Sequence, residues 1–422
     1  MLVCSANWLL PDDSLSLPPV ACEIQAFRRR VDILAGRAGF RCDGRYVPVE
    51  RVDLVLAGDM LDTLTSRRWH ASLRPWHATP AADRVMAEVA QGCLRQGRRA
   101  IASLRQLCRR GVRVPSATSL ARPSRERSVA VPVRVVIIAG DRDPRTGLGA
   151  FPASAADPWQ TASCTRWGDH GEVFITHGHS LDPAAATAGT TEPRDPSLGE
   201  SLAVDLIGRF LGSLGEHLQG SSWRALGRLL AAAHPLELPA VLSTWVQQSA
   251  HSCHTEQVND LWKRAVARWH REARREPPQV LGLPVDVTAR LAGWLERVPL
   301  GDEPATAAAD LVRSLTADDV EIRSRLQAMA GVATDLIMLG HPSQAEVAAG
   351  TNDDSLAVVG LGGPPSLGTP SLPCTAVFEQ GEHAGLRTAT CAALSHGQAQ
   401  GYAPLIVGGA GPAGIVDALR AA

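Results

Sequence analysis

Residues 133–143 have the sequence VRVVIIAGDRD, and this stretch decides the fold class of the chain. The run of apolar, mostly β-branched residues up to Ala139 predicts a buried strand. Gly140 and Asp141 then place a carboxylate just past the carboxyl end of that strand. Because α/β proteins bind ligands at the carboxyl ends of their strands, the stretch predicts an α/β fold with a candidate ligand-binding turn.

Three other segments repeat this arrangement, at residues 52–59 (VDLVLAGD), 172–179 (EVFITHGH) and 335–341 (DLIMLGH). They predict strands that end beside Asp59, His177 and His341. Strand ends on one rim of a sheet bring two carboxylates and two imidazoles together, and such mixed oxygen and nitrogen ligands suit Mn²⁺, Fe²⁺ or Zn²⁺. Each motif alone is also an ordinary glycine turn, and it is their joint order that favours a metal site.

In their order and neighbouring residues, the segments resemble the calcineurin-like metallophosphoesterase family. Its usual pattern is an early DxH, then GD, then GNHD or GNRD, a lone His often in HG, and a late GHxH. The resemblance implies a four-layer α/β sandwich, in which two mixed β-sheets are flanked by helices. It implies the metal ligands Asp59, Asp141, His177 and His341. It also implies that Arg142 binds phosphate, which a guanidinium does bidentately.

Two more residues complete the predicted catalytic set. A metal-bound imidazole usually needs a partner on its other ring nitrogen, which orients the ring. His179 and Asp182 follow His177 closely enough to supply that partner. We therefore expect both residues to orient His177.

The chain departs from the family pattern in a way that removes one metal site. In the candidate for the DxH segment, Ala6 stands where the Asp belongs and Trp8 where the His belongs, and Ser343 replaces the second His of GHxH. Asp141 replaces the Asn of GNRD, which adds negative charge to the remaining site. The resemblance thus implies one divalent transition metal ion (Mn, Fe or Zn) in place of the usual two.

Two functions fit these motifs. The first is metal-dependent hydrolysis of a phosphoester in a phosphorylated small-molecule or lipid-linked substrate, because one ion can still activate water and polarise a phosphoryl oxygen. The second is a catalytically inactive pseudo-phosphoesterase that acts as a binding or scaffold module. The missing DxH favours the second function, and the intact ligand set favours the first. The sequence does not indicate the oligomeric state.

The sequence predicts a core that is interrupted twice. Residues 1–183 form the first part of the core, with a loop and helix inserted at 60–132; residues 184–330 form a helical insertion that caps the site; and residues 331–422 complete the core. Within the first interruption we predict a single helix at 81–110, with a solvated arginine face, and a Pro/Ser/Arg-rich linker at 113–132. In the insertion we predict helices near 199–218, 222–233, 238–249, 255–275, 286–297 and 305–330, with its tryptophans in their core.

Composition limits the class of protein. The chain has 422 residues, 45% hydrophobic and 20% charged, so it can bury a large core. Its net charge of −1 gives no global bias toward nucleic acid. The sequence has no signal-peptide pattern and no 18-residue apolar run, so we expect a cytoplasmic protein without a transmembrane segment.

Two other motifs carry little weight. The glycines at 409–414 resemble a dinucleotide-binding turn, but too few residues follow for the second strand of that unit. His251 and His254 have the spacing of metal ligands, yet no matching pair accompanies them. We predict a glycine turn into a terminal helix in the first case and a surface cluster in the second.

Overall fold

A computed structural model gives the fold of the chain. It describes residues 1–12, 14–16, 21–41, 43–70, 73–143, 159–168, 173–182, 185, 195–218, 222–233, 238–248, 255–279, 287–297, 328–330, 334, 336–341, 347–349, 357–360, 375–379 and 389–393.

The strands, in chain order, are β1 (Leu2–Ser5), β2 (Leu10–Pro11), β3 (Val52–Ala57), β4 (Leu61–Asp62), β5 (Val112–Ala117), β6 (Pro123–Val131), β7 (Val133–Ile138), β8 (Trp159–Ala162), β9 (Cys164–Trp167), β10 (Val173–Thr176), β11 (Leu336–Leu339), β12 (Val347–Ala349), β13 (Ala357–Gly360), β14 (Thr375–Glu379) and β15 (Ala389–Ala393). The α-helices are α1 (Ala21–Ala38), α2 (Pro80–Gln96), α3 (Arg98–Arg110), α4 (Leu198–Ser201), α5 (Arg209–His217), α6 (Ser222–Ala232), α7 (Leu238–Gln248), α8 (Thr255–Arg275) and α9 (Val287–Arg297). A π-helix at Leu202–Gly208 joins α4 to α5, and 3₁₀ turns occupy Arg67–His70 and His179–Leu181.

The described residues form a mixed α/β protein with two larger sheets. The first has the strand order β15-β14-β1-β3-β7-β8, and its strands β1, β3, β7 and β8 run parallel. The second has the order β12-β13-β11-β10-β9, with β10, β11 and β13 parallel. Each sheet also contains antiparallel pairs, so both are mixed.

Side chains of the two sheets contact each other. Cys4 of β1 lies 3.5 Å from Met338 of β11, measured between the two sulfur atoms. The indole nitrogen of Trp167 in β9 donates a hydrogen bond of 3.1 Å to the carboxylate of Asp53 in β3. Strands β3, β7, β10 and β11 are the four predicted from the apolar runs of the sequence, and their carboxyl ends meet at one place.

The helical segment from α4 to α9 builds a core of its own. Trp245, Trp262, Trp269 and Trp294 are buried there, as the sequence predicted. Two of these indoles also find polar partners: Trp262 donates to the carbonyl of Leu295, and Trp269 donates to the hydroxyl of Ser201. The helix predicted at 199–218 is present, but it changes to π-helical geometry at Leu202–Gly208.

The linker predicted at 113–132 is wrong, because this stretch is the antiparallel hairpin β5–β6. Its prolines suggested a linker, but Pro123 begins a strand and Pro115 lies at a register shift, two positions where a sheet tolerates proline. The buried side chains of Val112, Val114 and Val131 provide the apolar face.

Three other predicted elements have different bounds in the structure. The helix predicted at 81–110 is divided into α2 and α3 at Gly97, a poor helix former. The loop predicted at 60–79 contains β4 and a 3₁₀ turn. The candidate DxH segment follows β1 and is not part of the strand itself.

Some predictions fall outside the described residues. These are most of the helix at 305–330, the glycine turn at 409–414, the histidines at 251 and 254, and Ser343. Among the helices that are described, none combines the length and the apolar character needed to cross a membrane.

A buried ion pair connects the loop after β4 to the helical segment. The guanidinium of Arg74 lies 2.9 Å from the carboxylate of Asp205, and Arg209 contacts the same carboxylate at 3.2 Å. All three side chains are at least nine-tenths buried. Asp205 is therefore an acidic partner that two buried cations share.

We predict that Asp205→Ala lowers the free energy of unfolding by about 3–5 kcal/mol, because it removes the buried carboxylate that two buried guanidiniums share. Denaturation by urea measures this change. Glu88→Ala is the matched control, since it breaks the exposed 2.8 Å pair with Arg68 and should cost less than about 1 kcal/mol. Equal losses in the two variants would contradict the structural role of Asp205.

Candidate metal centre

The predicted ligands follow strands of both sheets. Asp59 follows β3 and Asp141 follows β7 in the first sheet, whereas His177 follows β10 and His341 follows β11 in the second. Backbone hydrogen bonds continue past the ends of β10 and β11, where the amide of His341 donates to the carbonyl of His177 at 2.7 Å. The site therefore lies where the two sheets meet.

Three of these residues form a compact group. Asp141, His177 and His341 each offer one ligand atom, and the three atoms lie within 4.8 Å of one another. The carboxylate oxygen Oδ1 of Asp141 is 3.5 Å from Nδ1 of His177 and 3.4 Å from Nδ1 of His341. Nδ1 of His341 thus faces Asp141, whereas Nδ1 of His177 also contacts His179 at 3.0 Å, which leaves Nε2 as the ligand atom of His177.

The donor atoms of the group are not fully used by the protein. Oδ1 of Asp141 and Nε2 of His177 are buried and have no hydrogen-bond partner among the described residues. The charged groups nearest to these two atoms are other site residues at 3.4–3.5 Å, which is longer than an ordinary hydrogen bond. The residues present therefore fit a divalent cation.

Asp59 lies beside this group without belonging to it. Its carboxylate oxygen Oδ2 is 3.5 Å from Nε2 of His177, on the other side of the ring from Asp141. The other carboxylate oxygen accepts a hydrogen bond of 3.1 Å from the backbone amide of Arg142. Asp59 also adopts a left-handed backbone with φ of 45°, which Asp tolerates better than most residues other than glycine.

Two residues orient the imidazoles. Nδ1 of His179 lies 3.0 Å from Nδ1 of His177, so these rings share a hydrogen bond. Asp182 pairs instead with His341, whose Nε2 lies 2.7 Å from the Asp182 carboxylate. His179 therefore contacts His177 as predicted, whereas the structure assigns Asp182 to a different imidazole. The contact between Asp182 and His341 leaves Nδ1 of His341 facing Asp141.

The charges of the group reinforce each other. Burial alone would raise the pKa of Asp141, but the nearby rings of His341 and His177 lower it well below its usual range. Burial alone would lower the pKa of His341, but Asp141 and Asp182 together raise it well above its usual range. A cation placed between these groups would take over the role of the protonated His341 ring.

Arg142 follows Asp141 in the chain, and a carboxylate holds its side chain. Its Nη1 is 3.4 Å from Oδ1 of Asp62, and its carbonyl accepts hydrogen bonds from Thr63 at 3.2 Å and 2.6 Å. The Arg142 side chain is 12% exposed. Only one of its guanidinium nitrogens is engaged by Asp62, so others of its five N–H donors remain for an anion.

Asp143 has a role that the sequence did not reveal. Its carboxylate accepts hydrogen bonds from the backbone amides of Gly140 at 2.8 Å, Leu61 at 2.7 Å and Met60 at 3.3 Å. It thereby ties the turn after β7 to the turn after β3. Burial, and then the charge of Asp59, raise the pKa of Asp143 to about 8 despite these three donors. The feature of the sequence that could have indicated this role is that Asp143 is the second acidic residue of the GDRD motif.

The segment in the place of DxH belongs to the hydrophobic core. Ala6 and Trp8 are buried, and the Trp8 ring packs edge-on against Phe27 with centroids 5.1 Å apart. The Trp8 indole donates a hydrogen bond of 3.0 Å to the hydroxyl of Ser5. Neither Ala6 nor Trp8 offers an atom that ligates a transition metal.

Comparison of the chain with models of protein families, with curated proteins and with solved structures finds no match. The chemistry of the site and its resemblance to a known motif pattern therefore carry the functional proposal.

Glycines before the ligands allow the strand ends to approach so closely. A Cβ atom on Gly140 would lie 2.2 Å from Oδ1 of Asp59, and a Cβ on Gly58 would lie 2.0 Å from Cδ2 of His177. Gly58 also has φ of 97°, which favours glycine. Both contacts are too short for any other residue without movement of a site residue.

We predict that Gly140→Ala displaces Asp59 and destabilises the protein by about 1–3 kcal/mol, the usual cost of overpacking. Thermal or chemical denaturation measures the loss, and metal titration of the same variant reports the displacement of the site. Gly36→Ala is the control, because that helical glycine has open space around it and alanine favours the helix. A stable Gly140→Ala protein with unchanged metal binding would contradict this description.

Proposed function

We propose that the chain is a metal-dependent phosphoester hydrolase with one metal ion, built on the four-layer sandwich of the calcineurin-like metallophosphoesterases. One observation carries the proposal: Asp141, His177 and His341 each offer a ligand atom within 4.8 Å of the others, at the place where strand ends of the two sheets meet. The two mixed sheets and their order of strand-end motifs support the fold.

Asp141, His177 and His341 would hold the ion, with Asp59 adjoining it. A divalent ion at such a site lowers the pKa of a bound water and polarises a phosphoryl oxygen. His179 would orient His177, and Asp182 would orient His341, because hydrogen bonds on the second ring nitrogen fix each imidazole.

Arg142 would bind the phosphate. The pairing with Asp62 fixes the direction of its guanidinium, and the remaining N–H donors can bind two oxygens of one phosphate. Asp62 is fully buried, so its contact with Arg142 excludes water that would otherwise compete. The same carboxylate keeps Arg142 beside the ligand group before substrate binds, which reduces the entropic cost of binding.

The rival function is a pseudo-phosphoesterase that binds a ligand or partner without hydrolysis. The burial of Ala6 and Trp8 in the core favours it, because the chain has replaced two metal ligands by packing groups. The two functions differ in what they predict for turnover: both allow one bound ion, but only the hydrolase uses it.

We predict that the purified protein binds about one transition metal ion per chain and hydrolyses a generic phosphomonoester or phosphodiester. His177→Ala should lose the ion and lower the rate at least about a hundredfold, since the ion supplies both the nucleophile and the Lewis acid. Elemental analysis and turnover with p-nitrophenyl phosphate and its bis ester measure the two effects.

His217→Ala is the control, because His217 is an exposed residue of α5 that contacts only the backbone of its own helix among the described residues. A wild-type protein that binds one ion but hydrolyses neither ester with Mn²⁺, Fe²⁺ or Zn²⁺ would support the pseudo-phosphoesterase. A wild-type protein that binds no ion would contradict the metal-dependent hydrolase.

A second prediction tests the role of Asp182. Asp182→Ala should weaken metal affinity about 10–100-fold, the usual effect of losing the partner of a ligating imidazole. Asp182→Asn keeps an acceptor for the His341 ring and should cost less. Competition with a fluorescent chelator measures both affinities, and equal affinities in the wild type and Asp182→Ala would refute the assignment.

A further inference from the structure

The chain has a net charge near zero, but positive charge is concentrated in one part of the sequence. Residues 21–134 contain 22 arginines against 10 acidic residues, whereas the whole chain has 42 basic and 43 acidic residues. Several of these arginines lie on the outer surface of α1, α3 and the β5–β6 hairpin. A surface of one sign selects a partner of the opposite sign.

The turn of the hairpin contacts the loop that follows α1. The amide of Tyr46 donates a hydrogen bond of 2.7 Å to the carbonyl of Ala121, and the rings of Tyr46 and Phe40 pack with centroids 5.0 Å apart. Within the turn, the amide of Thr118 donates to the carbonyl of Arg122 at 2.8 Å. The two segments therefore form one ordered surface.

This surface presents large apolar side chains to solvent. Leu120 at the turn is 76% exposed, and Phe40 and Val47 of the adjoining loop are 43% and 45% exposed. We name these three residues the apolar tip. Exposed apolar side chains that lie next to one another, rather than singly, are typical of interaction sites.

Arginines flank the apolar tip. No ion pair between described residues involves Arg41 or Arg122. Arg45 is 4.0 Å from Asp43 with both side chains more than half exposed, so that pair neutralises little of its charge. Cationic side chains around exposed apolar groups are the pattern of proteins that rest on an anionic membrane surface.

We propose that the apolar tip and its flanking arginines dock on an anionic lipid surface. The apolar side chains enter the boundary between headgroups and acyl chains, and the arginines near the surface are attracted to the anionic headgroups. A nucleic acid would satisfy the arginines, but a phosphate backbone offers Leu120, Phe40 and Val47 no apolar environment. The combination of both groups therefore favours lipid.

The docked orientation keeps the metal centre away from the lipid. The loop that contains Phe40 and Val47 leads into the amino-terminal end of β3, and Asp59 follows the carboxyl end of that strand. A strand of six residues spans about 20 Å, so the two regions lie at opposite ends of β3. Lipid docking thus does not depend on the proposed phosphoesterase activity.

Sedimentation of the full chain with vesicles tests this inference. We expect binding to vesicles of phosphatidylcholine and phosphatidylglycerol, weaker binding to phosphatidylcholine alone, and release by added salt because salt screens the arginines. Leu120→Glu should weaken binding at least about tenfold. It replaces an apolar side chain that enters the lipid by a negative charge, which the anionic headgroups repel. Arg122→Glu should weaken it severalfold and reduce the dependence on salt.

Matched controls are available on other surfaces. Met329→Glu changes a residue that is 43% exposed outside the tip, and Arg264→Glu changes an exposed arginine of α8. Both should bind vesicles as the wild type does, and all four variants should keep the wild-type circular dichroism and metal content.

Three results would overturn the inference. They are a wild type that does not bind the anionic vesicles, tip variants that bind as well as the controls, and binding of a labelled oligonucleotide that Arg122→Glu abolishes while vesicle binding is absent.

Discussion

The ring of His177 lies between two carboxylates, 3.5 Å from Asp59 and 3.5 Å from Asp141, and the rest of the site depends on this contact. His177 belongs to one sheet and both carboxylates belong to the other. Its side chain is 1% exposed, so solvent screens these charge contacts little. The approach of the two sheets is thus fixed by a polar contact as well as by the apolar packing between them. Within the first sheet, Asp143 holds the turn after β3 against the turn after β7, because its carboxylate accepts hydrogen bonds from amides of both turns.

The two sides of the site differ in chemistry. On the side of Asp141 and His341, possible ligand atoms face one another, and a hydrogen bond from the His341 ring to the Asp182 carboxylate orients that imidazole. On the side of Ala6 and Trp8, apolar atoms have joined the hydrophobic core with Phe27. Buried apolar groups there make packing contacts that a vacant polar cavity would lack. This asymmetry is the reason that we propose one ion rather than two.

The strand ends could be predicted from the sequence because the information is local. Apolar runs followed by Gly-Asp or Gly-His predict a buried strand and a turn, and β3, β7, β10 and β11 occur there. The pairing of Asp182 with His341 could not be predicted, since the two residues are 159 positions apart and the nearer His177 offered an equally plausible partner. The β5–β6 hairpin was missed because its prolines and arginines have the composition of a linker. The alternation of buried valines is a signal for a strand, but it is short and weaker than the composition. The packing of β5 against α1 is what buries these valines, and the sequence does not show that packing. The structural role of Asp143 depends on three amides from two turns, which no local pattern specifies.

The central claim is that imidazoles from one sheet and a carboxylate from the other bind a single ion. X-ray absorption spectroscopy of the protein loaded with one equivalent of Zn²⁺ tests it most directly. The account predicts nitrogen and oxygen neighbours at about 2.0–2.2 Å, with the multiple scattering of two imidazole rings and no sulfur. A sulfur neighbour at about 2.3 Å, or a spectrum without imidazole scattering, would place the ion elsewhere in the chain and contradict the claim.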